Sequence, residues 1–306
     1  MRKVLIFTLS VLMLFSCIMI SMVASAAEPI DADAPVSLTL TYAYNDTVFE
    51  GEEVKLYRVG ECFSNGSFGL SEDFKDYSIS LNTVKSQSEW NAIAQTAMSY
   101  VIADSISPTA SAVTDGEGKA RYTELKTGLY LVSGIRGDYD KGYCSFDCFM
   151  MILPAKNEDG TWSYDVDAKP KSLYTQTQPD DIEYSVIKLW KDTGYESKRP
   201  DTVEVELYKD GVFAEEVVLS SENNWHYAWT APDDGSVWTA VETNVATDYT
   251  VTVEQKDYSF VISNTYGENP PTPSTGDSFN MGIYAVLLLI AGVGLMAIGT
   301  FSRRKG

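Results

Sequence analysis

The chain has little histidine and is poor in positive charge. Its 306 residues include a single histidine, His226. Histidine-dependent nucleophilic catalysis and multi-histidine metal sites would therefore all depend on that one side chain. Its alternation with Trp225 and Tyr227 predicts that it faces solvent. The 23 basic residues are outnumbered by 43 acidic ones, and the resulting net charge of -20 repels phosphate groups, so we expect no nucleic-acid partner.

The N-terminus has the pattern of a secretory signal. Arg2 and Lys3 precede an apolar stretch from Val4 to Val23, which the small residues Ala24-Ser25-Ala26 follow. This order is typical of a cleaved signal peptide, which we assign to residues 1–26. The apolar stretch is long for a signal, so an uncleaved membrane anchor is the alternative.

The C-terminus has the pattern of a membrane anchor. Met281 to Phe301 is a run of 21 residues without a charge, long enough as a helix to span about 30 Å of hydrocarbon. The basic residues Arg303, Arg304 and Lys305 follow it and are expected to stay on the cytoplasmic side, which places the bulk of the chain outside the cell. We assign 277–306 as a transmembrane helix with a basic tail.

A Pro-rich stretch at 268–276 precedes that helix and ends in Pro273-Ser274-Thr275-Gly276. The order of Pro-x-Thr-Gly, apolar helix and basic tail resembles the cell-wall sorting signal of Gram-positive surface proteins, except that Thr272 replaces the usual leucine. The resemblance implies that a sortase cleaves between Thr275 and Gly276 and joins the Thr275 carbonyl to an amine of the wall or of another subunit. The alternative is a plain membrane anchor with a Pro-rich stalk.

The sequence between these ends predicts an all-β protein. It is rich in Tyr, Val, Thr and Trp in short alternating runs, which are separated by turn signals such as Asp115-Gly116 and Asp210-Gly211. We expect two immunoglobulin-like or prealbumin-like β-sandwiches in tandem, at 30–172 and 183–267. The polar stretch 173–182 lacks apolar alternation and contains Pro179, so we assign it as the linker between them.

One helix is expected in the first module. From Ser88 to Asp104, large and small apolar residues recur at helical spacing on one face: Trp90, Ile93, Ala97, Tyr100 and Val101. We expect this helix to pack across or beside a sheet and to have a structural role.

Three predicted strands of the second module each place one polar residue on an apolar face. Lys188 shares its face with Tyr184, Val186 and Trp190; Asn264 alternates with Phe260 and Ile262; and Glu242 alternates with Trp238 and Ala240. Burying an unpaired polar group is costly, so we expect Lys188, Glu242 and Asn264 to meet. The alternative is a snorkelling lysine with two ordinary edge residues.

Short motifs extend this pattern over nearly the whole module: Lys188-x-Trp190, Arg199-Pro200, Val203-x-Val205-x-Leu207, Asp210-Gly211, Asn224-Trp225-x-Tyr227, Val241-Glu242 and Ile262-Ser263-Asn264-Thr265. Together they resemble the Cna protein B-type domain of Gram-positive surface proteins. The resemblance implies a spontaneous isopeptide bond, with Lys188 as nucleophile, Asn264 as electrophile and Glu242 as proton shuttle.

The chemistry that this bond requires is physically reasonable in a buried site. Desolvation lowers the pKa of an amine and raises that of a carboxylic acid, so that neutral forms of both can coexist. The reaction is a single-turnover self-modification rather than an enzyme activity. Closing a loop of 77 residues, counted from 188 through 264, would stabilise the module by about 4–5 kcal/mol on the chain-entropy model.

Motifs of the first module resemble the N-terminal domain of SpaA-type pilins: Gly51-Glu-Glu-Val54, Thr114-Asp115-Gly116-Glu-Gly118 and Leu125-Lys-Thr-Gly128-Leu129-Tyr130. The opening strand lacks a lysine, so we expect no isopeptide bond in this module. Trp162 through Pro170-Lys171 resembles the pilin motif whose final lysine accepts the next subunit, which implies that Lys171 is the acceptor. The alternative is a plain boundary lysine.

Three cysteines follow the predicted signal: Cys62, Cys144 and Cys148. Cys144 and Cys148 are expected on one face of the same strand, a poor geometry for bonding each other. Two alternatives are open: a disulfide from Cys62 to one of them in an oxidising setting, or three buried thiols. We expect no metal site and no cofactor.

These features predict a wall-anchored structural surface protein, exported and membrane-bound before sorting, and most simply a pilin subunit. The alternative is a wall-anchored adhesin that binds a host or extracellular ligand without polymerising. A secreted enzyme has the least support, because no motif places a carboxylate pair in a cleft. The expected partners are a sortase, peptidoglycan or other pilin subunits, and a ligand in the adhesin case.

Overall fold

The computed structural model describes residues 29–63, 67–81, 84, 86–177 and 181–267. The predicted signal peptide, the sorting motif with Pro273, Thr275 and Gly276, and the C-terminal apolar run lie outside these residues. Within the described ranges, none of the helices combines the length and the apolar character needed to cross a bilayer.

The described residues form two groups of strands that do not pair with one another. The first group, here called the N-terminal module, contains β1 (Val36–Thr41), β2 (Ala43–Tyr44), β3 (Thr47–Val48), β4 (Glu53–Cys62), β5 (Phe68–Leu70), α1 (Gln87–Ala103), β6 (Ala110–Val113), β7 (Lys119–Leu125), β8 (Gly128–Val132), β9 (Ile135–Tyr139), β10 (Gly142–Phe146), β11 (Phe149–Leu153), β12 (Ala155–Lys156), β13 (Trp162–Ser163), β14 (Asp165–Ala168) and β15 (Leu173–Gln176).

The second group, here called the C-terminal module, contains β16 (Asp181–Lys191), β17 (Thr202–Lys209), β18 (Val212–Ser220), β19 (His226–Pro232), β20 (Trp238–Glu242), β21 (Tyr249–Lys256) and β22 (Ser259–Tyr266). Two short 3-10 turns, Glu196–Lys198 and Ser221–Asn223, connect its strands. The prediction of a mostly β chain with one α-helix is confirmed for the described part of the chain.

The N-terminal module is built around a central sheet in the order β11-β8-β4-β5, with β6 also paired to β4. Every residue of β8 is buried, because both faces of this sheet are covered. Leu56 and Tyr130 face the sheets β14-β1-β7 and β15-β10-β9. Tyr57 and Leu131 face the other way, into a core that α1 covers. The helix therefore adds a third layer beyond the expected sandwich.

Helix α1 begins and ends within one residue of its predicted bounds. Ser86 closes its first turn, since its hydroxyl accepts from the Glu89 N–H while the Glu89 side chain accepts from the Ser86 N–H. This reciprocal capping box satisfies two of the N–H groups that a helix start leaves open. All five residues of the predicted apolar face are buried: Trp90, Ile93, Ala97, Tyr100 and Val101.

The segment 173–182, predicted to be a polar linker, is largely strand. Its first half is β15, which pairs antiparallel with β10, and β16 already begins at Asp181. The linker prediction did not consider Tyr174, whose ring packs against those of Tyr44 and Tyr139. Such aromatic contacts hold an otherwise polar segment in the sheet.

The C-terminal module is a seven-stranded, two-sheet sandwich. One sheet has the order β19-β16-β22-β21 and the other β18-β17-β20. Apolar side chains from both sheets, among them Val186, Val205 and Ile262, form a single core between them. The first and last strands, β16 and β22, are neighbours and run parallel.

Candidate functional site

The strands of the C-terminal module bring Lys188, Glu242 and Asn264 together in its core. In the parallel pair β16–β22, Lys188 lies opposite Ile262 and Trp190 lies opposite Asn264. Lys188 and Asn264 are thus two positions apart on the same inward face, because side chains alternate along a strand. Glu242 ends β20 and reaches them from the facing sheet.

The carboxylate of Glu242 bridges the other two side chains. The Lys188 ammonium donates to Glu242 Oε2 at 2.9 Å, and the Asn264 amide nitrogen donates to Glu242 Oε1 at 2.8 Å. The relative exposures of Lys188, Glu242 and Asn264 are 3%, 2% and 0%. The three residues that the alternation pattern turns inward therefore form one contiguous buried group, here called the buried triad.

Burial makes the Lys188 amine easier to deprotonate than a surface lysine. Desolvation lowers the pKa of Lys188 to about 8, although the nearby negative charges of Glu242 and Asp192 oppose the shift. The ring of Trp190 also lies 4.5 Å from the Lys188 nitrogen and favours the ammonium form. About a tenth of the amine is therefore neutral and nucleophilic at pH 7, far more than for an ordinary lysine.

The amide of Asn264 has a polar atom to spare. Its Oδ1 is buried and accepts no hydrogen bond from the described residues. Because the two ends of an amide have nearly the same shape, rotation about the last side-chain bond exchanges oxygen and nitrogen. In the rotated form the Asn264 oxygen faces the Glu242 carboxyl, and a proton transferred there from the Lys188 ammonium would bond to that oxygen and polarise the carbonyl carbon towards the amine.

An ion pair outside the triad supports the Trp190 ring that the Lys188 ammonium contacts. Arg199 donates to both carboxylate oxygens of Asp192, at 2.8 and 2.6 Å, and the Tyr249 hydroxyl donates to the same carboxylate at 2.9 Å. The guanidinium also lies 5.6 Å from the centre of the Trp190 ring, and Tyr249 meets that ring edge-on. Sequence reasoning singled out neither Asp192 nor the role of Arg199.

Lys171 is exposed and lies in the short connection between β14 and β15. It makes no ion pair within the part of the chain that the structure describes. The motif that ends in Lys171 does not form one continuous strand. Trp162 belongs to β13, whereas Val166 lies on β14 and packs in the core. His226 is exposed, as predicted.

The three cysteines Cys62, Cys144 and Cys148 are free thiols, so the disulfide alternative does not describe this structure. Cys62 belongs to the core beneath α1, whereas Cys144 belongs to the core on the opposite side of the central sheet. Cys148 lies in the connection between β10 and β11 rather than on the same strand as Cys144. The central sheet thus separates the candidate partners Cys62 and Cys144.

Comparison with known proteins identifies the family of the C-terminal module. Residues 184–265 match the model of the Cna protein B-type domain, which confirms the resemblance found in the sequence. Over 122 residues the chain is 28% identical to the collagen adhesin of Staphylococcus aureus. That match covers 37% of this chain and only 10% of the adhesin, so the chain corresponds to a small part of that protein.

Similar solved structures come from Gram-positive surface proteins. A single B repeat unit of the Staphylococcus aureus collagen-binding protein is 17% identical, with 78% of this chain and 99% of that chain covered and a TM-score of 0.27. The minor pilin of Streptococcus agalactiae is 18% identical, with the same coverages and a TM-score of 0.25. The major pilin SpaD of Corynebacterium diphtheriae is 17% identical, with coverages of 77% and 65% and a TM-score of 0.32.

Proposed function

We propose that the chain is a structural protein of the Gram-positive cell surface, most simply a pilin subunit, whose C-terminal module is locked by an isopeptide bond between Lys188 and Asn264. The observation that carries the proposal is the buried triad, in which one carboxylate contacts both the amine and the amide. A buried pair such as Lys188 and Glu242 adds little to stability as such, because removing the two charges from water offsets most of their attraction. The arrangement of the triad is better suited to a reaction within it.

The bond forms by exchange of one amine for another. The neutral Lys188 nitrogen attacks the Asn264 Cγ, whose oxygen is polarised by the protonated Glu242. The new C–N bond replaces the bond from Cγ to Nδ2, and the nitrogen of Asn264 leaves as ammonia. Glu242 gives its proton to the leaving nitrogen and takes one from the lysine nitrogen, so it ends the reaction protonated, as it began. The packed strands hold the reacting groups in place.

Intact mass spectrometry of the mature chain tests this chemistry. The expected mass is lower than the calculated mass by one ammonia, and fragmentation of a protease digest should yield a branched peptide that joins Lys188 to Asn264. The matched control is Lys188→Met, which should retain the full calculated mass. A wild-type chain at full mass after folding would show that the triad does not react.

Export and wall attachment complete the proposed role. Support comes from the sequence pattern at both ends of the chain and from its similarity to part of the Staphylococcus aureus collagen adhesin. A sortase would join Thr275, within Pro273-Ser274-Thr275-Gly276, either to peptidoglycan or to the exposed Lys171 of the next subunit. A replacement of Thr275 by alanine should release the protein from the wall fraction into the membrane and the medium.

A non-polymerising adhesin is the second candidate, and the similarity to part of a collagen adhesin favours it. The two candidates differ in what wall extracts contain. A pilin gives a ladder of detergent-resistant high-mass species that disappears in Lys171→Ala. An adhesin gives a single wall-linked species, which Lys171→Ala leaves unchanged.

A further inference from the structure

The outer edge of the C-terminal module is closed by the N-terminal module. Strand β21 lies at the edge of its sheet, where alternate N–H groups would ordinarily point to solvent. Three such groups instead donate to acceptors of the N-terminal module: Val251 N–H to the Ser78 carbonyl at 3.0 Å, Val253 N–H to Thr96 Oγ1 at 2.7 Å, and Gln255 N–H to Gln95 Oε1 at 2.7 Å.

The strand that carries Glu242 is covered on both faces. Glu242 points into the sandwich, towards Lys188. Its neighbour Val241 points outwards, is 1% exposed, and packs with Tyr208 in the core that lies beneath α1. The outer face of a two-sheet sandwich is usually wet. Here it is part of the hydrophobic core of the other module.

Helix α1 has a second buried side that suits this contact. Its apolar face, which includes Trp90 and Ile93, packs in the N-terminal core. Small residues recur along another stripe of the helix, at Ala92, Thr96, Ser99 and Ala103. Thr96 is fully buried and binds β21 directly. Small side chains let the helix approach the strand closely enough for a hydroxyl to act as the acceptor of a backbone N–H.

We propose that α1 is a positioning element for the crosslinking site: docking of the helix on β20 and β21 holds the strand of Glu242 against the triad, and the isopeptide bond forms at its full rate only in the docked protein. The inference rests on the proposed function, because it concerns the rate of that reaction. It makes the N-terminal module a folding partner of the C-terminal module rather than only the next segment of a stalk.

Exclusion of water explains why docking affects the chemistry. Tyr100 of α1, Tyr208 and Glu242 line a cleft of about 500 Å³ between the modules. The cleft is large enough for water, and withdrawal of the helix would widen it and bring more water to the strand that ends in Glu242. Lys188 is a nucleophile near neutral pH because its amine is desolvated. Hydration of the triad would therefore lower the fraction of neutral Lys188 amine. It would also weaken the hydrogen bonds that hold the Glu242 carboxylate against Lys188 and Asn264.

The test uses the full chain, made by cell-free synthesis and sampled over time by intact mass spectrometry. Thr96→Val keeps the size of the side chain but removes its oxygen, and Gln95→Ala removes the other helix acceptor. In the double variant we expect the amides of Val253 and Gln255 to lose about tenfold in hydrogen-exchange protection. We expect the loss of ammonia to slow several-fold.

Two matched variants separate positioning from general damage to the helix. Thr96→Ser, made in the otherwise wild-type chain, keeps the acceptor oxygen. It should show the edge protection and the rate of ammonia loss of the wild type. Ser99→Ala removes a buried hydroxyl that donates to the Thr96 carbonyl within the helix, and it should change neither readout. Amides of β17 report whether the sandwich itself remains folded.

The outcomes distinguish this inference from the proposed function. If the double variant loses edge protection but releases ammonia as fast as the wild type, the inference is overturned, while the isopeptide bond itself remains supported. Rapid exchange at Val253 and Gln255 in the wild type would also overturn it. A wild type that loses no ammonia would contradict the proposed function itself. Slow ammonia loss that tracks lost protection, with rescue by Thr96→Ser, supports the inference.

Discussion

Arg199 holds Asp192 through two parallel hydrogen bonds across the turn that follows β16. Asp192 is 4% exposed, and the Arg199 guanidinium beside it keeps the pKa of its carboxyl below the usual range. Such a forked contact fixes both the position and the orientation of the two groups. Because Arg199 and Tyr249 also contact Trp190, this pair supports the ring on which the Lys188 ammonium lies.

Arg199→Ala is expected to destabilise the protein by about 1–3 kcal/mol, because the buried carboxylate loses its two charge-assisted hydrogen bonds. Arg199→Lys should recover little, since a lysine cannot make the forked contact. Urea denaturation at pH 7 measures both effects. The stabilisation exists only while Asp192 is ionised, so the difference from wild type should shrink as the pH falls below about 4. A difference that persists in acid would contradict the assigned pair.

Glu242→Gln and Glu242→Ala should both abolish the loss of ammonia, because neither side chain can relay a proton. They should differ in stability. Relative to Asn264→Ala, which also lacks the crosslink, the alanine variant leaves the Lys188 ammonium buried without a partner, which is expected to destabilise the fold by about 3–5 kcal/mol. The double variant Lys188→Met/Glu242→Ala removes both charges and should be more stable than Glu242→Ala alone. Denaturant unfolding and intact mass provide the two measurements, and ammonia loss in either Glu242 variant would rule out the relay.

The low pKa of Lys188 predicts a pH-dependent stability in a chain that cannot crosslink, such as Asn264→Ala. The amine titrates at about 8 in the folded wild-type structure and at its ordinary value of 10.5 when unfolded. Between these values the unfolded chain binds more protons, so the free energy of unfolding should rise with pH. The favourable contribution is complete above the unfolded value and is lost as the pH falls through about 8.

Other groups also titrate in that range, so the measurement is a difference between two variants. Buried thiols and tyrosines such as Cys62 and Tyr122 have raised pKa values and act in the opposite direction at alkaline pH. The reference is Lys188→Met/Asn264→Ala, which retains those groups but lacks the amine. The stability of Asn264→Ala relative to this reference should increase from pH 8 to 10. If the stability difference between the two variants does not change with pH, the Lys188 amine is not desolvated in the folded protein.

The cysteines are expected to resist alkylation in the folded protein. Burial raises the pKa of the Cys62 thiol to about 11 and that of Cys148 to about 12, and it also raises the pKa of Cys144. Thiolate, the reactive form, is therefore scarce at pH 8. Iodoacetamide should add no group to these three residues in the folded state and three groups after unfolding, as measured by mass.

An added cysteine on the surface provides the control for alkylation. Ser197 is exposed in a short turn, and Ser197→Cys should react within the time in which the native thiols do not. A folded wild-type mass that rises by two hydrogens on reduction would instead indicate a disulfide.

The composition of the triad could be predicted because a strand has a period of two. Lys188, Glu242 and Asn264 each interrupt a run of apolar residues on one face, and three such interruptions in one sandwich are best explained if they meet. The apolar face of α1 was predictable for the same kind of reason, since Trp90 and Ile93 recur at helical spacing.

The contact between the modules could not be read from the sequence in this way. Thr96 and Ser99 are polar and lie off the apolar stripe, so periodicity assigns them to the solvent side. Their burial depends on β21, which lies far away in the sequence. Val253, the partner of Thr96, follows it by 157 residues. Asp192 was missed for a related reason, because its partner Arg199 lies across an irregular turn that has no periodic pattern.

The adjacency of the first and last strands of the C-terminal module has a further consequence once Lys188 is bonded to Asn264. The covalent path from one module boundary to the other then passes directly from β16 to β22. All residues from 189 to 263 become a side branch that is attached at both ends. A protease that cuts one exposed turn in this interval leaves a single connected molecule, so the protein can tolerate damage at its loops without being severed from whatever lies beyond it.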